Sequence, residues 1–183
     1  ATQGMYPPGS TFKILATLEY IRENPNYKSY SYECEGEGIF NSVSIYCFNH
    51  KVHGTVDLEQ SLAYSCNTSF SNIGTKLDMD ALNRLCEDFL YNKELPYDGY
   101  YYKSSYSLTS KTDKSLIPQT VIGQGKTLIT PLHNAMIMSA IANDGVLMKP
   151  YTIDSIENDD GAKVKTFRSK EAGTLMTADE ANI

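Results

Sequence analysis

The sequence predicts a mainly α-helical fold with small β hairpins, and two observations support this fold class. Apolar residues recur at helical spacing in several segments, as at Phe12, Leu15 and Leu18. Two other stretches, 27–48 and 151–167, combine short extended pieces with turn residues instead. With 183 residues, 41% hydrophobic and 21% charged, the chain suits one domain or a large part of one.

The first helix is predicted over residues 10–23. Pro7-Pro8-Gly9 is a turn, helices commonly begin just after such a turn, and Asn24-Pro25 ends the apolar pattern. Caps, turns and apolar spacing predict six later helices. Three lie in the middle of the chain: 58–63, which Asp57 caps, 70–77, and one that runs from Asp78 or Asp80 to Leu90. The other three are a short helix before Gly123, one from Pro131 to the turn at Asn143, and one that begins at Thr177. The hairpins are expected between Cys34 and Cys47 and around Asp159-Asp160-Gly161.

The charge and hydropathy pattern excludes several kinds of protein. A net charge of −6 with no basic cluster argues against a nucleic-acid partner, since nothing would neutralise the phosphates. No apolar run reaches the roughly 18 residues that a membrane-spanning helix needs, and no charged-then-apolar leader is visible. The chain opens at Ala1, close to its most informative residue, Ser10, so we expect an excised fragment of a longer protein.

The chain contains four cysteines, which are Cys34, Cys47, Cys66 and Cys86. This number is too small for a disulfide scaffold in a chain of this length. Because Cys34 and Cys47 bracket the first predicted hairpin, we expect either one bridge between them or two free thiols. His50 and His53 could add metal ligands, but the spacing matches no common zinc pattern. The sequence therefore predicts no metal site and no cofactor.

Ser10 and Lys13 have the clearest chemical potential. Residues three apart share a face of a helix, so the Lys13 amine can reach the Ser10 hydroxyl. A serine hydroxyl becomes a good nucleophile when a neighbouring base removes its proton, and a buried lysine with a lowered pKa can be that base. The alternative is that Ser10 caps the helix and Lys13 is solvated, because a pattern with two fixed positions also occurs by chance.

A second polar pair, Ser65 and Asn67, lies in the predicted break between two helices. The Ser65 hydroxyl can both donate and accept a hydrogen bond, so it can relay a proton. The Asn67 amide can hold a lysine on one side and a substrate carbonyl on the other. The alternative is that Ser65 ends one helix and Asn67 caps the next, although capping residues can line a cleft as well.

Five segments follow one another along the chain, and they are Pro8-Gly9-Ser10-Thr11-Phe12-Lys13, Ser65-Cys66-Asn67, Ile122-Gly123-Gln124-Gly125, Thr130-Pro131-Leu132 and Ile141-Ala142-Asn143-Asp144-Gly145. In this order the chain resembles, over nearly its whole length, the transpeptidase domain of penicillin-binding proteins, the enzymes that cross-link peptidoglycan. The first two segments correspond to the S-x-x-K and S-D-N motifs of that family. Cys66 replaces the Asp, which is tolerable if its side chain faces away from the cleft.

The resemblance implies a role for each of the four polar residues. Ser10 would be the nucleophile that attacks the peptide bond between the two terminal D-alanines of a stem peptide, and Lys13 would take its proton. Ser65 would pass a proton toward the leaving amine, and Asn67 would orient Lys13 and the substrate amide. The amine of a second peptide would then resolve the acyl-enzyme, while β-lactams would acylate Ser10 as mimics of the dipeptide.

One family motif is absent from the sequence. No Lys-Thr-Gly or Lys-Ser-Gly occurs, and the nearest string, Lys126-Thr127-Leu128, precedes an apolar helix. In the family this motif lies on a β-strand that closes the cleft and completes the oxyanion hole. We therefore expect residues 1–183 to be a partial transpeptidase domain, inactive as a fragment. It would be the helical subdomain of the α+β penicillin-binding protein and β-lactamase-like fold, with the main sheet largely missing.

The resemblance also implies the partners and location of the protein. Its partners would be peptidoglycan stem peptides and β-lactam antibiotics. The parent protein would be bacterial, extracytoplasmic, anchored in the membrane by a segment outside this chain, and would work with other cell-wall synthesis proteins. Two alternatives stay open. One is a β-lactamase or D,D-carboxypeptidase, in which water replaces the acceptor amine, and the other is a non-catalytic β-lactam sensor or binding module.

Two further patterns have a structural explanation. Gly125-Lys126-Thr127 resembles the end of a P-loop, but that motif needs a glycine where the chain has Thr120. His133 lies near the start of the most apolar helix, where we expect a packed or capping histidine and no catalytic role.

Overall fold

The computed structural model describes residues 1–183 as a set of helices with four small antiparallel sheets, which confirms the predicted fold class. The helices are α1 (Lys13–Glu23), α2 (Leu58–Ala63), α3 (Asn67–Gly74), α4 (Met79–Asp88), α5 (Ile117–Val121), α6 (Pro131–Ile141) and α7 (Ala178–Ala181). The strands are β1 (Tyr32–Cys34), β2 (Glu37–Phe40), β3 (Val43–Tyr46), β4 (Gly54–Val56), β5 (Val146–Met148), β6 (Ser155–Glu157), β7 (Lys163–Thr166) and β8 (Glu171–Thr174). None of the helices combines the length and apolarity that crossing a bilayer requires.

The predicted helix caps are confirmed. The Asp57 carboxylate accepts from the Gln60 backbone N–H, while the Gln60 side chain accepts from the Asp57 N–H, so α2 begins with a reciprocal capping box. Of the two residues considered for α4, Asp78 is the cap, and its side chain accepts from the Asp80 N–H. Thr177 caps α7 in the same reciprocal way as Asp57 caps α2.

Two helices next to the predicted motifs have boundaries that differ from the prediction. Gly9–Phe12 form a 3-10 turn, so α1 itself begins at Lys13. Helix α3 begins at Asn67 and ends at Gly74, earlier at both ends than the predicted 70–77. Both differences affect the region of the predicted motifs, because Ser10 lies in the 3-10 turn and Asn67 is the first residue of α3.

The sheets are more numerous than the two predicted hairpins. Those hairpins are present as β2–β3 and β6–β7. In addition, β1 pairs with β4, with Cys34 opposite Gly54, and β5 pairs with β8, with Val146 opposite Thr174. These added pairs join short strands that are not adjacent along the chain, so no local hydrophobic pattern announces them.

The cysteines contradict the disulfide that the sequence allows between Cys34 and Cys47. Both residues bracket the β2–β3 hairpin, but their Sγ atoms lie 3.7 Å apart, whereas an S–S bond is about 2.05 Å long. All four cysteines are free and buried. The Sγ atom of Cys66 lies 3.8 Å from that of Cys47, so Cys47 is as close to a second sulfur as to its expected partner.

The core lies around α1, which packs against α2, α3 and α4. Phe12 stacks on Tyr106 with ring centroids 5.6 Å apart, and Phe70 of α3 is fully buried. The same core contains His133, whose Nδ1 lies 2.7 Å from Ser104 Oγ and whose Nε2 lies 2.7 Å from the Phe89 carbonyl oxygen. Burial lowers the pKa of His133 to about 4, so this histidine is a neutral packing residue as predicted.

Candidate active site

Lys13 is the buried centre of the polar site. Its side chain is fully buried, and its Nζ donates to the carbonyl oxygen of Ser65 at 2.8 Å, to Ser65 Oγ at 2.8 Å and to Asn67 Oδ1 at 2.7 Å. Ser10 Oγ is a fourth neighbour at 3.4 Å. An ammonium has three protons for these four oxygens. A neutral amine would keep two protons for two of the three short contacts and leave its lone pair available to Ser10.

The surroundings of Lys13 favour that neutral form. Burial lowers the pKa of Lys13 from 10.5 to about 8, because an ammonium in the interior loses its hydration, while the nearby Cys66 and Cys47 thiols act in the opposite direction. No carboxylate pairs with this amine, and the centroid of the Phe70 ring lies 5.5 Å from Nζ. At pH 7 about a tenth of such an amine is unprotonated, which is enough for a general base.

Ser10 is presented by a turn that a distant glycine supports. The Gly9 N–H donates to the Gly123 carbonyl oxygen at 2.8 Å. Gly123 has φ +76°, and a Cβ at this position would lie 1.8 Å from the Gly9 carbonyl oxygen. Only glycine can satisfy both conditions, since L side chains rarely adopt positive φ and no atom fits in that gap. The segment 122–125 therefore sets the backbone that places the exposed Ser10 hydroxyl.

Ser65 connects the nucleophile to the lysine. Its Oγ donates to Ser10 Oγ at 2.7 Å and accepts from Lys13 Nζ at 2.8 Å, so a continuous hydrogen-bonded path joins the three side chains. Ser65 has φ +52°, in the left-handed region that non-glycine residues seldom occupy. This conformation lies between α2 and α3 and turns both the Ser65 hydroxyl and its carbonyl oxygen toward Lys13.

Asn67 is held from two sides. Its Oδ1 accepts from Lys13 Nζ at 2.7 Å, and its Nδ2 donates to the carbonyl oxygen of Tyr46 in β3 at 2.8 Å. The Tyr46 contact fixes which end of the amide faces the lysine. The second proton of Nδ2 remains for another acceptor, because the amide nitrogen carries two.

A cleft of about 370 Å³ opens over these residues. It is lined by Ser10, Phe48, Lys51, His53, Tyr64, Ser65, Asn67, Ile122 and Gln124. Cys66 is absent from this lining, because its side chain is fully buried on the other side of the loop. Its orientation meets the condition under which a cysteine is tolerable between Ser65 and Asn67.

All four residues singled out from the sequence lie together, although Ser10 and Ser65 are 55 positions apart. Sequence reasoning did not find the Tyr46 carbonyl oxygen, for which no side-chain signal exists. It also did not assign the contact between Gly9 and Gly123, although both glycines were part of recognised segments. The sequence suggests His53 only as a possible metal ligand, whereas the structure places it at the wall of the cleft.

Comparison with known proteins identifies the family of the chain. A family model described as the penicillin-binding protein transpeptidase domain matches residues 1–181. The peptidoglycan D,D-transpeptidase PbpA of Mycolicibacterium smegmatis is 30% identical over 166 residues, covering 88% of this chain and 33% of the relative. The chain thus spans about a third of the length of the curated relatives it matches first.

Solved structures give the same result. Penicillin-binding protein A from M. tuberculosis, in an imipenem acyl-enzyme complex, matches with a TM-score of 0.87 and 26% identity over 100% of this chain and 42% of that one. The D,D-transpeptidase domain of a peptidoglycan glycosyltransferase from Eggerthella lenta matches with a TM-score of 0.83 and 25% identity, covering 99% of this chain and 47% of that one. The chain belongs to the family of penicillin-binding protein transpeptidase domains.

Proposed function

We propose that the protein is a peptidoglycan D,D-transpeptidase that works through an acyl-enzyme on Ser10. The observation that carries this proposal is the hydrogen-bonded path from Lys13 through Ser65 to Ser10, with Asn67 bound to the same lysine. A serine joined in this way to a buried amine is an activated nucleophile. The M. tuberculosis relatives of this fold that were solved as imipenem and penicillin G acyl-enzyme complexes support the same chemistry.

In the acylation step, the neutral Lys13 amine accepts the Ser10 proton across the 3.4 Å contact. The Ser10 oxygen attacks the carbonyl carbon between the two terminal D-alanines and forms a tetrahedral intermediate. Ser65 Oγ, which touches both residues, donates its proton to the leaving D-alanine amine and takes one from Lys13. The peptide bond breaks, D-alanine leaves, and Ser10 holds the ester.

In the second step, the amine of another stem peptide attacks that ester and loses its proton along the same path. Ser10 regains its proton, and a new peptide bond joins the two strands. The residues lining the cleft include no carboxylate that could activate water for deacylation, the role that a Glu has in class A β-lactamases. This composition favours transfer to an amine over a β-lactamase activity of that kind.

A β-lactam enters the same first step as a substrate mimic. Its strained amide carbonyl is attacked by Ser10, but the amine released by ring opening stays covalently attached to the acyl group. This retained group blocks the approach of an acceptor amine to the ester, so the ester persists. We propose, on this chemistry, that penicillin is a covalent ligand of the protein.

The proposed reaction places the protein outside the bacterial cytoplasm, where peptidoglycan is cross-linked. We propose that the parent protein is anchored to the membrane outside residues 1–183 and works with other cell-wall synthesis proteins. The partial domain would consist of residues 1–183, without the Lys-Thr-Gly strand that completes the oxyanion hole in the family. We therefore expect residues 1–183 alone to turn over little or no substrate, since oxyanion donors contribute about 10²–10³-fold to such reactions.

Intact-mass measurement with peptide mapping after penicillin treatment tests the proposal. It should be applied to residues 1–183 and to a longer natural form that includes the third motif. The expected result in the longer form is one adduct of the drug's mass on Ser10, lost in Ser10→Ala and kept in the exposed control Ser107→Ala. A folded longer form without an adduct would overturn the proposal, and rapid turnover of a chromogenic cephalosporin would show a β-lactamase instead.

A further inference from the structure

We propose that Cys34, Cys47, His53 and Cys66 bind one zinc ion directly beneath the loop that carries Ser65 and Asn67. The three Sγ atoms and a ring nitrogen of His53 all lie within 4.8 Å of one another. The three sulfurs are buried, and His53 is half-buried at the wall of the cleft. Three cysteines and one histidine are a ligand set that structural zinc sites use.

Three of the six separations between the ligand atoms are close to the edges of a tetrahedron around zinc, and the rest lie within 4.8 Å. Sulfurs bound at about 2.3 Å in tetrahedral geometry lie about 3.8 Å apart, and a sulfur and a histidine nitrogen lie about 3.5 Å apart. The observed separations are 3.7 Å between the Sγ atoms of Cys34 and Cys47, and 3.8 Å between those of Cys47 and Cys66. His53 Nδ1 lies 3.3 Å from Cys34 Sγ. The four ligand atoms are thus close enough together to share one ion with small side-chain movements.

Four separate segments place these ligands. Cys34 ends β1, Cys47 follows β3, His53 precedes β4, and Cys66 is the N-cap residue of α3. Antiparallel pairing of β1 with β4 sets Cys34 opposite Gly54 and so brings His53 beside Cys34. The His53 ring also stacks on Tyr64, with centroids 5.8 Å apart, which holds its plane. An ion bound by Cys34 and His53 would thereby stabilise the β1–β4 pair, whose strands are only three residues long.

The surroundings of the sulfurs resemble the hydrogen-bond support that metal thiolates receive. The Thr68 hydroxyl is fully buried and donates to Cys34 Sγ at 3.2 Å. The same hydroxyl oxygen lies 3.4 Å from Cys66 Sγ and 3.7 Å from Cys47 Sγ. One hydroxyl therefore faces all three sulfurs. Groups that orient ligands in this way are a regular part of metal sites.

A disulfide and a set of inert thiols explain the cluster less well. A disulfide would join two sulfurs and leave the third, whereas here Cys47 is equally close to Cys34 and Cys66. Inert buried thiols need no histidine nitrogen within 3.3 Å. The donor set of sulfur and imidazole selects zinc over calcium or magnesium, which prefer oxygen. With four protein ligands the shell is closed, so the ion would be structural and not a catalyst.

The position of Cys66 gives the ion a role in the proposed reaction. Cys66 lies between Ser65 and Asn67, so an ion that holds its sulfur also fixes the loop whose oxygens bind Lys13. This part of the inference rests on the proposed function. The existence of the site does not, because metal binding is measured without substrate.

Metal analysis of the purified protein, followed by exchange to Co²⁺, tests the site. We expect one equivalent of zinc and, with cobalt, the intense absorption of a tetrahedral thiolate complex. Cys47→Ser and His53→Ala should lose most of this signal, whereas Cys86→Ser should keep it, because Cys86 is equally buried but outside the cluster. Zinc added in large excess to metal-free protein should raise the midpoint of thermal unfolding by about 5–10 °C, and a strong chelator should reverse the rise.

Several outcomes would overturn the inference. One is the absence of bound zinc or cobalt in wild-type protein refolded with the metal under reducing conditions. Another is a mass 2 Da below that of the reduced chain, which would show a disulfide in the cluster. The wild-type readings decide the question even if the variants do not fold. Metal binding without Ser10 acylation would contradict only the proposed function, and acylation in metal-free protein with unchanged unfolding would contradict only this site.

Discussion

The Lys13 amine lies among oxygen acceptors with no carboxylate to hold its positive charge. Removing an ammonium from water without an ion-pair partner favours the neutral form, and this is the form that can accept a proton. The burial that makes charged Lys13 costly to the fold is thus the property that prepares it as a base.

The rate of acylation by penicillin should follow the ionisation of Lys13. Because the pKa is lowered to about 8, the neutral fraction rises with pH, and the rate should increase about tenfold per pH unit up to pH 8 and then level off. Fluorescent-penicillin labelling of the longer form between pH 6 and pH 9 measures this profile. Lys13→Arg, which stays protonated, should not be labelled at any of these values, and a flat wild-type profile would exclude Lys13 as the base.

Asn67→Asp should shift this profile, because it keeps an oxygen facing Lys13 Nζ while it loses the hydrogen bond to the Tyr46 carbonyl oxygen. A carboxylate 2.7 Å from Nζ would stabilise the ammonium and raise the pKa of Lys13 by about 1–3 units. Acylation at pH 7 should therefore fall at least about tenfold and recover as the pH rises above 9. Equal loss at every pH would instead indicate that Asn67 acts on the substrate and not through the lysine.

Among the elements, those with local signals are the ones that the sequence predicts well. Asp57 with Gln60, Thr177 with Glu180, and Pro131 in the first turn of α6 mark helix starts through contacts within a few residues. The β1–β4 and β5–β8 pairs depend on partners elsewhere in the chain, so their short strands carry no recognisable pattern. Loop 122–125 is intermediate, because its glycines are visible in the sequence but the backbone they approach is not.

Gly123→Ala should disrupt the turn that carries Ser10. The new Cβ would lie 1.8 Å from the Gly9 carbonyl oxygen, in addition to the strain of a positive φ. We expect a loss of about 3 kcal/mol or more in the free energy of unfolding, together with a large loss of acylation. Gly125→Ala is the matched control, since it also has positive φ but its nearest neighbour would be 3.5 Å away, and it should cost only about 1–2 kcal/mol. Equal effects of both changes would contradict the close-approach argument.

At the scale of the whole molecule, the first helix contacts the last one. Arg22 in α1 donates to both carboxylate oxygens of Glu180 in α7, at 2.6 Å and 3.1 Å. These hydrogen bonds lower the pKa of Glu180 to about 2, although burial alone would raise it. The pair fastens the last helix to the first, and both side chains remain partly exposed.

Arg22→Gln should therefore destabilise the protein in a pH-dependent way. A depressed carboxyl pKa stabilises the fold above the unfolded value of about 4.5 and loses that contribution as the pH falls toward 2. We expect a cost of up to about 1 kcal/mol at pH 7, limited by solvent screening, that shrinks between pH 4.5 and pH 2. Urea unfolding at several pH values measures it, with Glu157→Gln as an exposed control. A cost that does not change with pH would indicate lost packing instead.

The candidate sites differ in how far the sequence could predict them. The sequence predicts Ser10, Lys13, Ser65 and Asn67 because the members of each pair lie two or three positions apart and belong to a recognisable pattern. The sequence does not predict the cluster of Cys34, Cys47, His53 and Cys66, because its members come from four segments. Two of them, Cys34 and Cys47, suggest a disulfide instead. Only the folded chain shows that Cys66 turns into the same space as Cys47.

The contacts of Lys13 join residues 52 to 54 positions apart, and they exist only after α1 has packed against α3. Closing a chain segment of that length is an entropic cost that is met late, when the core forms. A chain in which this step has not occurred lacks the base that activates Ser10. If Ser10 is acylated as proposed, only molecules with an assembled site would react with labelled penicillin. Brief pulses of the antibiotic at successive times of refolding would therefore measure the fraction of native molecules as a function of time.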